Sequence, residues 1–218
     1  YQPPHVGYLA LGDSFSSGEG VQSYEPGTDS DSPKNKCHLS TLSYPYLAAK
    51  ALGIADFHSV ACSGALSTHY FAEAQYDNTP IFTWTAGEEK QEEFLKTAEP
   101  SVVTISMIGN DIGFGDKLTT CLTLPDDCFH FKEDRQAIAN EIYNKSDTLV
   151  GLYTSIKQDS GNSDVKVYVL GYPQIMGNGS CQLNVPLSRE ERLRAQGLTG
   201  YLDAVIHAAA NKAGVQYI

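Results

Sequence analysis

Three short clusters of small and polar residues carry the chemistry this sequence offers: Gly12-Asp13-Ser14, Ala61-Cys62-Ser63-Gly64-Ala65 and Gly109-Asn110-Asp111. Acyl transfer needs a nucleophilic oxygen, a base to take its proton, and donors aimed at the developing oxyanion. Ser14 can supply the first. The backbone N–H groups of Ser14 and Gly64 and the side-chain amide of Asn110 can supply the third. Glycine at position 64 lets the backbone approach a substrate with no Cβ in the way. Asp13 reads as structural, bonding backbone groups around the turn.

The elements that must position these residues alternate between strand and helix. Short apolar runs at Val6–Leu11, Phe57–Val60, Val102–Ile108 and Val165–Leu170 read as strands, and Val215–Ile218 begins a fifth. Between them, Tyr44–Leu52 and Gly87–Ala98 have helical character. Glu133–Lys157 carries Ile138, Ile142, Leu149, Leu152 and Ile156 on one stripe and predicts a single helix. Ser188 and Glu191 form a capping box that opens a helix to about Lys212, with Gly214 as its stop. Residues 18–36, rich in Gly, Ser, Asp and Pro, read as a long loop. This order predicts one α/β domain over residues 1–218, three layers with a parallel five-stranded sheet. Each of the three clusters then sits at the carboxyl end of a strand, where open parallel sheets bind ligands.

Composition excludes several other functions. A formal charge of −11 argues against a nucleic-acid binder and against an electrostatic anchor on anionic lipid. No apolar run approaches the roughly 20 residues of a membrane span. Neither C-x-x-C nor H-E-x-x-H occurs, so no metal and no cofactor is expected. The chain opens at Tyr1 with no Met or signal peptide and reads as a processed mature form. Sequons at Asn144 and Asn178 permit glycosylation. Of the five cysteines, Cys37 and Cys62 would tie the long loop to the second cluster, and Cys121 and Cys128 would close a short loop. Cys181 is left over: a free thiol, an intermolecular bond, or a bond to a cysteine not in this chain. The cysteines and sequons together point to a secreted protein.

The three clusters resemble the first three blocks of the SGNH, or GDSL-type, hydrolases. Gly12-Asp13-Ser14-Phe15-Ser16-Ser17-Gly18 is similar to the first, Ala61-Cys62-Ser63-Gly64-Ala65 to the second, and Gly109-Asn110-Asp111 to the third. The phrasing is most similar to a secreted, disulfide-containing esterase and lipase branch. The resemblance implies a flavodoxin-like fold, Ser14 as nucleophile, and Ser14, Gly64 and Asn110 as the oxyanion hole. Ile108 departs from the glycine that relatives often carry before Gly-Asn-Asp, which reads as a change in the pocket wall.

A larger departure concerns the base. The family's fourth block, Asp-x-x-His after the last strand, is absent. His207 follows Asp203 by one helical turn, but lies about 180° from Leu198 on that helix and so faces solvent. His5, His38, His58, His69 and His130 offer no better placement. The expectation is therefore that the sequence lacks a C-terminal segment carrying Asp-x-x-His. In this branch a cysteine near that histidine pairs with one in the position of Cys181, so truncation or a disulfide-linked C-terminal fragment of the same precursor would explain both gaps. The implied activity is hydrolysis of a small-molecule, lipid or saccharide ester by a monomer. The alternatives are a carbohydrate acyl esterase, or a non-catalytic binding protein that has lost its base. The aromatic residues Tyr70, Phe71, Tyr76, Phe82 and Trp84 read equally as site lining or as core.

Overall fold

The computed structural model describes residues 6–76, 84–123, 132–177 and 187–218. In chain order it runs β1 (Tyr8–Gly12), α1 (Ser14–Ser17), β2 (Ser30–Asp31), β3 (Lys34–Asn35), α2 (Tyr44–Leu52), β4 (Phe57–Ser59) and α3 (Thr68–Phe71). Then follow α4 (Gln91–Ala98), β5 (Val102–Ser106), a 3-10 turn (Asn110–Ile112), α5 (Phe114–Thr123), α6 (Lys132–Asn144), α7 (Ser146–Asp159), β6 (Lys166–Val169), α8 (Arg189–Ala213) and β7 (Gln216–Tyr217).

Five strands form one parallel sheet in the order β4-β1-β5-β6-β7. This is the doubly wound order of flavodoxin-like folds, in which the strand order reverses between the first and third strands. Here those strands are β1 and β5, paired from Tyr8↔Val102 to Gly12↔Ser106. Strand geometry sends alternate side chains to opposite faces. Leu9 and Leu11 accordingly enter the main core with Val103, Ile105, Val167 and Val169. Tyr8 and Ala10 enter a smaller core under Ala49 of α2. Helices thus cover both faces, and the expected three-layer architecture is present. Among the described residues no helix is long and apolar enough to cross a membrane.

The capping box at Ser188 forms as the sequence predicts, and Gly214 ends α8 in the left-handed conformation. Two expectations need correction, and one open alternative is resolved. The single helix over 133–157 is two helices, α6 and α7, separated by Lys145. All five stripe residues are nonetheless buried. The loop over 18–36 contains the short antiparallel pair β2–β3. Tyr70 and Trp84 are core: Tyr70 is fully buried with its hydroxyl on Asp159, and Trp84 packs edge-on against Phe94. Tyr76 packs on the same core, Phe71 is exposed, and Phe82 lies outside the described residues.

Candidate active site

β1 ends at Gly12, whose φ of +129° is one that side-chain-bearing residues rarely adopt. A Cβ there would collide with the Ser106 carbonyl of the neighbouring strand. The chain then turns at once into the short helix α1, with Asp13 as its N-cap and Ser14 as its first residue. Asp13 Oδ1 accepts from the Phe15 N–H at 3.0 Å, the local role expected of it. Ser14 is part-exposed at the carboxyl end of β1. Among the described residues its hydroxyl has no hydrogen-bond partner.

The second cluster follows β4 and is stitched to the first: the Cys62 N–H donates to the Gly12 carbonyl at 3.0 Å. Cys62 is bonded to Cys37, as expected, which holds residues 36–38 against this turn. Gly64 is exposed with φ +79°, where a side chain would be strained. Its N–H meets no acceptor among the described residues. The third cluster follows β5, and the Asn110 amide donates to the Ala65 carbonyl at 2.9 Å. That bond uses one amide hydrogen and leaves the second available. Asp111 accepts from both the N–H (2.9 Å) and the hydroxyl (2.6 Å) of Ser67. Gly12, the second cluster and the Asn110 turn therefore form one connected network at the point where the strand order reverses.

Asp13 is fully buried, and burial pushes its carboxyl up to about 7 against the lowering effect of its bond from Tyr172. The Tyr172 hydroxyl donates to Asp13 Oδ2 at 2.5 Å and accepts from the Gly109 N–H at 2.7 Å. Burial and the Asp13 charge hold the phenol well above its ordinary range. Gln91, at the start of α4, is buried and bonds the backbone of Gly12. Neither Tyr172 nor Gln91 was identified from the sequence: no motif surrounds either, and Gln91 opens a helix whose neighbours are acidic.

Ile108 is fully buried with φ +119°. The departure from glycine is thus a matter of backbone strain, of order 1–3 kcal/mol, rather than of a pocket wall. The described histidines are engaged elsewhere. His38 bonds Glu19 and Asp29, His58 Nε2 bonds the Trp84 carbonyl, and His69 Nδ1 accepts from the Leu66 N–H. His207 is exposed and stacks on Tyr217, while Asp203 turns inward to accept from the Tyr172 N–H at 2.7 Å. His5, His130, Cys128, Cys181 and Asn178 lie outside the described residues, as does the side chain of Cys121. Asn144 is exposed at the end of α6.

No family model matches the chain. Individual relatives do. The chain is 31% identical over 213 residues to Lipase 1 of Streptomyces coelicolor, covering 97% of this chain and 68% of that protein. The chain belongs to the SGNH (GDSL-type) hydrolases. A lipase of Streptomyces rimosus is 33% identical over 199 residues, 91% of this SGNH hydrolase and 63% of the relative. This SGNH hydrolase also superposes on the phospholipase A1 of Streptomyces albidoflavus with a TM-score of 0.67 at 29% identity, covering 98% of this chain and 78% of that one. The extracellular lipase of S. rimosus gives a TM-score of 0.65 at 28% identity, covering 97% and 79%.

Proposed function

We propose that this protein, by its family a carboxylic ester hydrolase of the lipase and esterase kind, works outside the cell through an acyl-Ser14 intermediate. The Ser14 oxygen attacks the ester carbonyl carbon while its proton passes to a base. The carbonyl oxygen becomes an oxyanion held by the N–H groups of Ser14 and Gly64 and the free amide hydrogen of Asn110. Collapse expels the alcohol, which takes the proton back from the base. Water, activated by the same base, then releases the acid and restores Ser14.

The observation that carries this reading is the stitched network. Hydrogen bonds from Cys62 to Gly12 and from Asn110 to Ala65 tie the oxyanion donors to the turn that presents the nucleophile. We place the base on a segment not in this sequence, together with a cysteine that pairs with Cys181, because the Asp-x-x-His block that supplies it in the family does not occur among these residues. The names of the relatives favour lipid esters over acylated saccharides as substrates. A fluorophosphonate probe, applied to the enzyme as its host makes it, tests the reading. Labelling of Ser14, with hydrolysis of a long-chain acylglycerol or phospholipid, supports it. Labelling elsewhere refutes the nucleophile, and turnover confined to acetylated polysaccharide refutes the substrate class.

A further inference from the structure

Tyr172 follows β6, a strand that contributes neither the nucleophile nor an oxyanion donor. Its side chain is nevertheless buried between both. The phenol oxygen uses both of its hydrogen-bonding capacities, donating to Asp13 Oδ2 at 2.5 Å and accepting from the Gly109 N–H at 2.7 Å. Asp13 is the cap of the turn that starts with Ser14, and Gly109 is the residue before Asn110. One hydroxyl therefore spans the two turns.

The tyrosine is itself rigidly placed. Its ring meets Phe15 edge-on at 4.8 Å and Phe114 at 5.9 Å. Its backbone N–H is held by Asp203 Oδ1 at 2.7 Å. The approach to Gly109 is close enough to require glycine, since a Cβ there would lie 2.9 Å from the phenol oxygen. A buried tyrosine hydroxyl usually finds one partner; this one finds two, on two different turns.

We propose that Tyr172 is a positioning residue whose hydroxyl fixes the Asn110 turn relative to the Ser14 turn, so that the Asn110 amide meets the oxyanion as it forms. The inference rests on the oxyanion role proposed above for Asn110. Misplacement of a catalytic group by about 1 Å costs on the order of 10²-fold in rate, so loss of the hydroxyl should act on turnover more than on binding.

The test is a double-mutant cycle in the enzyme as its host makes it, with active sites counted by a fluorophosphonate. Tyr172→Phe keeps the ring and removes the hydroxyl. It should lower kcat about 10- to 100-fold while KM stays within about twofold. In an Asn110→Ala background the same change should be nearly silent, because the group it positions is gone. Asp13→Asn, which keeps the volume and the Phe15 cap but presents an amide where the phenol needs an acceptor, should repeat both results and stands in should Tyr172→Phe fail to fold. A kcat loss of equal size in both backgrounds, or a Tyr172→Phe enzyme with full kcat, overturns the proposal. An Asn110→Ala enzyme with full kcat instead overturns the oxyanion reading on which it rests.

Discussion

The Gln91 side chain holds the backbone of Gly12 by both ends: its Oε1 accepts from the Gly12 N–H at 2.8 Å and its Nε2 donates to the Gly12 carbonyl at 2.9 Å. Strand β1 ends at this residue, and Ser14 follows two positions later. The amide thus completes the hydrogen bonding of a backbone unit at the carboxyl end of the strand, deep in the fold. Gln91→Met, similar in size but without donor or acceptor, leaves the buried Gly12 N–H unpaired. It should destabilise the protein by about 1–3 kcal/mol and reduce kcat. Urea denaturation checks this, and an unchanged midpoint would show that Gln91 does not brace the turn.

Ser14→Ala should abolish ester hydrolysis and leave the thermal midpoint nearly unchanged, because the hydroxyl makes no hydrogen bond among the described residues. Asn110→Ala should reduce turnover about 10²- to 10³-fold, the usual loss for one oxyanion donor. Residual hydrolysis by the serine variant near the wild-type rate would place the nucleophile elsewhere.

Asp13 sets a pH dependence of stability. Its folded-state carboxyl titrates at about 7, above the ordinary value of 3.8. The folded state therefore binds more protons than the unfolded state between these values, and stability falls as pH rises through that window. The slope is on the order of 1.4 kcal/mol per pH unit. Asp111, Tyr44, Tyr153 and Tyr172 are the titratable groups that act on this carboxyl or respond to it. Denaturation of wild type and Asp13→Asn at pH 4.5 and 7.5 isolates the effect. The wild-type advantage over the variant should be larger at the lower pH, and an advantage independent of pH would rule the assignment out.

The Cys37–Cys62 bond closes a sequence separation of 25 residues. Replacing both cysteines with alanine should cost roughly 2–4 kcal/mol through loop entropy. Non-reducing peptide mapping should also find Cys121 joined to Cys128, and Cys181 joined to a peptide outside this sequence. A free Cys181 thiol in the native protein would contradict the last of these.

Strands β1 and β5 and their clusters were legible because each is a largely apolar run that gives way to glycine and small polar residues, as Leu11 gives way to Gly12-Asp13-Ser14. The break at Lys145 was invisible to periodicity: Ile142 and Leu149 stand seven residues apart, which keeps the stripe in phase across a single interrupting residue. Tyr172 and Gln91 were hidden for a different reason. Their partners lie 63, 159 and 79 positions away in the chain, so only the folded sheet brings them together. The strain at Ile108 was half legible, as a missing glycine whose cause is a backbone angle rather than a surface.

Gly12 is excluded from any other identity by the carbonyl of Ser106 on the adjoining strand, not by anything a substrate does. The glycine that opens the first family block therefore records a seam between two strands. A descendant that had exchanged Ser14 and given up hydrolysis would still need Gly12 for its fold, and would still lose stability with Gln91. Within such a lineage the glycine testifies to ancestry, and the serine alone testifies to activity.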